Sequence, residues 1–131
     1  MMKLINLHNF HFKNPFFLKK LVQFSTKSYN PTVSKKIIYT THLLSRINIR
    51  RIPRGLPLQI YKNSDNYYFD IETNLFIAVK AVGRGKNKKK YALAFEVKND
   101  TIFLITIHPI KKNQEENRIR SKRWQKIILK I

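Results

Sequence analysis

The sequence predicts a small α+β domain with one or two N-terminal helices, a four-stranded antiparallel meander and a C-terminal helix. Three observations predict it. Apolar residues recur at helical spacing before residue 50, the period changes to two after Asn66, and Pro109 is followed by a polar stretch with opposite charges at helical distances. With 131 residues, 43% hydrophobic and 12% aromatic, the chain can bury one modest core and is too apolar for a disordered basic tail.

Residues 1–34 read as an extension and 35–131 as the single domain. The extension scatters phenylalanines among lysines without a sustained period and contains neither acid nor arginine. Freedom from acid suits an organellar transit peptide, while the lack of arginine suits a disordered basic arm equally well. A helix is predicted over 34–48, because Ile37, Thr40, Thr41, Leu44 and Ile47 fall on one side at 100° per residue. The opposite side carries Tyr39, His42, Arg46 and Arg50, the last three at i, i+4 and i+8. Pro53, Gly55 and Pro57 punctuate the chain before a short second helix over 58–61.

Strands are predicted over 67–71, 75–82, 91–98 and 101–108. In the second, Leu75, Ile77, Val79 and Ala81 share a face; in the third, Tyr91, Leu93, Phe95 and Val97 alternate with Ala92, Ala94, Glu96 and Lys98. The fourth is apolar on both faces, as a central or covered strand would be, and His108 continues its Ile102, Leu104 and Thr106 face. Residues 83–90 form a basic hairpin tip with Arg84, Lys86, Lys88, Lys89 and Lys90. Pro109 is expected to stop the fourth strand. A helix polar all round follows over 111–123, with Glu115 facing Arg118, Glu116 facing Arg120, and Trp124 docking its end on the sheet.

Twenty-seven Lys and Arg against seven Asp and Glu give a formal charge of +20, which points to a polyanionic partner. Much of that is lysine, which A/T-rich codons supply together with the abundant Ile and Asn, so lysine is weak evidence. Arginine says more. Arg46, Arg50, Arg51 and Arg54 form one cluster, Arg118, Arg120 and Arg123 another, and a guanidinium fork grips phosphate bidentately. The first acid in the chain is Asp65, so the first cluster has no local carboxylate to answer it.

The absence of cysteine excludes disulfides, thiolate catalysis and cysteine-based zinc sites. No uncharged apolar run reaches the ~18 residues of a membrane span, and no ligand spacing calls for a metal or cofactor. Asp70 and Glu72 project to the same strand face, the usual place for carboxylates that are solvated or answer a nearby cation. Gly83-Arg84-Gly85 lacks the third glycine and helix start of a nucleotide fingerprint. His42 and His108 are left as groups able to give and take a proton near neutral pH.

The run Thr41-His42-Leu43-Leu44-Ser45-Arg46-Ile47-Asn48-Ile49-Arg50, with Ile52-Pro53 after it, resembles the opening helix of small RelE- and BrnT-like toxins. Ile105-Thr106-Ile107-His108-Pro109-Ile110, followed by Asn117-Arg118 and Arg123-Trp124, is similar to the closing strand and helix of the same relatives. The resemblance covers about residues 38 to 125. It departs at Lys122, where a glycine usually precedes the Arg-Trp pair, and in the extension over 1–34.

The resemblance implies an endoribonuclease that needs no metal, in which the RNA 2′-hydroxyl attacks the adjacent phosphate. His42 or His108 would then serve as base or acid, with Arg46, Arg50 and Arg123 stabilising the developing charge. RNA contacts are expected from Arg50, Arg51, Arg84, Lys86, Lys88, Lys89, Arg118 and Arg120. The expected partners are RNA or the ribosome, together with an acidic antitoxin-like protein and no membrane. The expected location is cytoplasmic, or mitochondrial or plastid if the extension is a transit peptide. A non-catalytic RNA-binding module fits the same charge, and so does a protein-interaction domain whose lysines reflect base composition.

Overall fold

The computed structural model describes residues 4–5 and 36–130. Its centre is a six-stranded mixed sheet. In chain order the elements are β1 (Lys36–Tyr39), α1 (Thr41–Arg50), α2 (Leu56–Asn63), β2 (Asn66–Asp70), β3 (Leu75–Val82), β4 (Lys89–Lys98), β5 (Thr101–Ile110), α3 (Gln114–Arg120) and β6 (Trp124–Ile127). The strand order is β1-β5-β4-β3-β2-β6. Strands β2 to β5 run antiparallel to one another, β1 pairs in parallel with β5, and β6 closes the far edge antiparallel to β2. Leu4–Ile5 and Leu129–Lys130 form a separate two-stranded ladder.

Each face of the sheet has its own core. Leu43, Ile47, Leu56 and Ile60 of α1 and α2 pack with Phe69, Phe76, Leu93, Phe95, Ile102, Leu104 and Ile107 on one face. On the other, Tyr68, Ile77, Val79, Ala92, Ala94, Ile110 and Trp124 form a smaller cluster. There Glu115 of α3 reaches the sheet, receiving the Tyr68 hydroxyl and salt-bridged to Lys90 at 2.8 Å.

The expected architecture of helices, a four-stranded meander and a C-terminal helix is overturned by the two extra edge strands and the parallel pair. Residues 36–39 are strand, not helix. Ile37, Ile38 and Tyr39 are β-branched or aromatic and find a ladder on β5. Thr40 starts α1 by accepting the Leu43 N–H at 3.2 Å and sends its hydroxyl to the Leu104 and Ile105 carbonyls at 3.1 Å. The later start shifts the buried stripe to Leu43 and Ile47. Tyr39 accordingly leaves the solvent face, donating to the Arg54 carbonyl at 2.7 Å and accepting from Leu58 N–H at 3.2 Å. The second helix is a turn longer than its sequence signals indicate, with Pro57 in its first turn, where no amide is needed.

Pro109 does not stop β5, which continues to Ile110 opposite Lys90. Beyond Leu104, β5 pairs with no strand on its β1 side among the described residues, and proline is tolerated at such an edge. A bulge corrects the position of His108 as well. Ala94 pairs with Thr106 but Phe95 pairs with Leu104, so Ile105 is an extra residue and every side chain after it changes face. Ile107 thus takes the core position beside Ile102 and Leu104, and His108 turns to the α3 side.

The predicted helix over 111–123 shortens to Gln114–Arg120, and Trp124 opens an edge strand instead of capping a helix. Lys122 breaks the chain between them at φ +63°, in the left-handed region where a Cβ is unfavourable. This is the position where the RelE-like motif carries glycine. Lys122→Gly is expected to stabilise the protein by about 0.5–1 kcal/mol, the relief of left-handed strain less the added chain entropy, measured as a raised denaturation midpoint.

Candidate nucleic-acid interface

Beyond Leu104, where no strand pairs with β5 on its β1 side among the described residues, arginines from both helical layers approach it. From one layer, the Arg50 guanidinium comes round the edge and donates to the Ile107 carbonyl at 2.6 Å. From the other, Arg118 faces the same strand end. His108 is half-buried, close enough to both for their charges to act on its ring. Burial, then the fields of Arg50 and Arg118, hold its imidazole below the ordinary histidine value of 6.5. A neutral imidazole flanked by two permanent cations can accept a proton beside a bound anion.

The remaining α1 residues extend this face. Arg46 Nε donates to His42 Nε2 at 3.4 Å, which makes His42 the acceptor of an exposed pair. His42 lies two helical turns, about 12 Å along the axis, from Arg50, too far to share one phosphate with His108. Arg51 is exposed in the left-handed cap of α1. Arg84, Lys86, Lys88 and Lys89 are exposed on the hairpin between β3 and β4, at the same end of the sheet as His108, since Lys90 pairs with Ile110.

Arg123 is not part of this face. It precedes β6, four strand positions or about 19 Å from β5. Both its nitrogens on one edge meet Asp70 at 3.0 Å, and Nη1 meets Glu72 at 3.1 Å. Asp70 is only 2% exposed. Burial alone would push its carboxyl up, but the Arg123 hydrogen bonds and the Glu72 amide outweigh this and hold it below the ordinary carboxylate range. The two carboxylates that the strand alternation pairs are thus partners of an arginine, and the three together staple β6 to β2.

Glu115 is likewise engaged away from Arg118. It receives the Tyr68 hydroxyl, Lys90 Nζ at 2.8 Å and Asn66 Nδ2 at 3.3 Å. The predicted Glu115–Arg118 pair therefore does not form, and Arg118 and Arg120 have no ion-pair partner among the described residues. Arg120 is exposed on α3, and Arg118 lines a cavity of about 590 Å³ with Lys111, Lys112, Gln114, Asn117 and Ser121. Lys111, Lys112 and Asn117 were not among the expected contacts. Their signal was a lysine pair three residues after His108.

Among the described residues no group of three or more His, Asp or Glu side chains is placed to hold a metal, and no helix is long and apolar enough to cross a membrane. No protein-family model, curated protein or solved structure matches the chain. The likeness to RelE- and BrnT-like toxins accordingly rests on the short motifs alone.

Proposed function

We propose that the chain binds RNA and cleaves it at the Arg50–His108–Arg118 face, with His108 as general base. The carrying observation is one half-buried histidine under the charges of guanidiniums from two different layers, one of which is bonded to the carbonyl of the preceding residue. His108 takes the proton of an RNA 2′-hydroxyl, the 2′-oxygen forms a bond to the adjacent phosphorus, and the bond to the 5′-oxygen breaks. The products are a 2′,3′-cyclic phosphate and a 5′-hydroxyl whose oxygen takes its proton from water. Arg50 and Arg118 oppose the charge that builds on the phosphorane. Arg46 and His42 act one and two turns away from Arg50 as strand contacts, and Arg123 is structural.

Incubation of unstructured RNA with the protein in EDTA tests this reading. The expected result is cyclic-phosphate ends that disappear with His108→Ala and persist with His42→Ala. Retained cleavage in His108→Ala would sink it. RNA affinity that falls with salt but is accompanied by no cleavage would favour the non-catalytic binding module, which the unpaired arginines also support.

A further inference from the structure

Resting on that reading, we infer that the substrate is a single strand several nucleotides long, whose phosphates beyond the reacting linkage lie in a lysine-lined cleft between the β3–β4 hairpin and the β5–α3 turn. The cleft holds about 610 Å³ and is bordered by Lys88 and Lys89 on one side and by Lys111 and Lys112 on the other. Lys111 and Lys112 also border the cavity that contains Arg118, so the two hollows are adjacent, and Pro109, the residue after His108, lines the first of them. Two acids touch the cleft. Glu115 is neutralised by Lys90 at 2.8 Å, leaving Glu116 against four lysines that have no ion-pair partner among the described residues. Four unanswered cations around a concave floor repel one another, and a phosphate backbone relieves that repulsion while releasing its counterions. A basic groove that tracks the backbone is the way proteins hold single strands, which suits a cleft with lysines on both sides.

The test uses 2′-O-methyl RNA, which cannot be cleaved, as a dinucleotide and as a strand of about ten nucleotides. Wild type is expected to bind the longer strand at least about tenfold more tightly in moderate salt. Combined Lys88→Ala, Lys89→Ala, Lys111→Ala and Lys112→Ala should remove that advantage and lower the salt slope by about 2 to 3, with dinucleotide binding unchanged. The corresponding four Lys→Arg changes should keep it. Equal affinity of wild type for both lengths, or an unaltered slope in the alanine variant, overturns the cleft's role and leaves the His108 site standing. Failure of wild type to bind either RNA overturns both. Binding of polyglutamate as tightly as RNA overturns the nucleic-acid assignment of the cleft.

Discussion

Arg123→Ala is expected to cost the fold about 3 kcal/mol, lowering the melting temperature by roughly 10 °C, while leaving RNA affinity nearly intact. The magnitude follows from what the substitution abandons. Asp70 is buried and accepts two guanidinium hydrogen bonds, so removing Arg123 strands a carboxylate with little access to water. Asp70→Asn keeps the shape and removes the buried charge, so it should cost less than Arg123→Ala. The pH dependence carries the same signature. A carboxyl held below its unfolded value contributes stability that is complete above about pH 4 and is lost as the pH falls through its folded value. Arg123→Ala should therefore flatten the acid limb of a stability profile recorded by thermal denaturation. A variant that melts normally but loses RNA binding would return Arg123 to the functional face.

His108→Ala should reduce cleavage by roughly 10²- to 10⁴-fold with RNA affinity little changed, because a general base acts on the reacting bond more than on binding. In wild type the acid limb of kcat/KM should lie below 6.5, since burial and two guanidiniums disfavour the imidazolium in the free protein. Arg118→Gln removes one of those fields, so the acid limb should move up toward 6.5 as the rate falls. The two changes in one variant separate a positioned base from a histidine that merely packs. An acid limb that stays fixed in Arg118→Gln would mean that the two side chains do not sense each other.

The antiparallel strands between residues 66 and 110 were legible because alternation is a local property. The two edge strands were not, because their pairing partners lie far apart: Lys36 meets Thr101, and Asp70 meets Trp124. Residues 36–39 mislead for a related reason. Ile37 continues a helical stripe on paper, and only the presence of β5 makes strand the better state. Arg50 and His108 were legible as residue types, and their proximity was legible only as a motif. Arg123 shows the limit of such a motif, since nothing in Arg123-Trp124 announces that Asp70 and Glu72 already occupy the guanidinium. Glu115 shows another, because its natural helical neighbour is Arg118 but the sheet offers Tyr68 and Lys90. The readings of residues 1–34 concern positions that, apart from 4–5, lie outside the described residues.

The extra residue at Ile105 makes substitution and deletion very different kinds of change in this chain. Replacing Ile105 leaves the count of residues in β5 intact, and His108 still emerges beside Arg118. Deleting it restores strict alternation, which turns one half of the strand over: either Ile107 gives up its place in the core and His108 enters it, or Ile102 and Leu104 leave it. Within this strand, a small insertion or deletion would thus break the core in either case and the placement of His108 in one of them, whereas many single replacements would spare both.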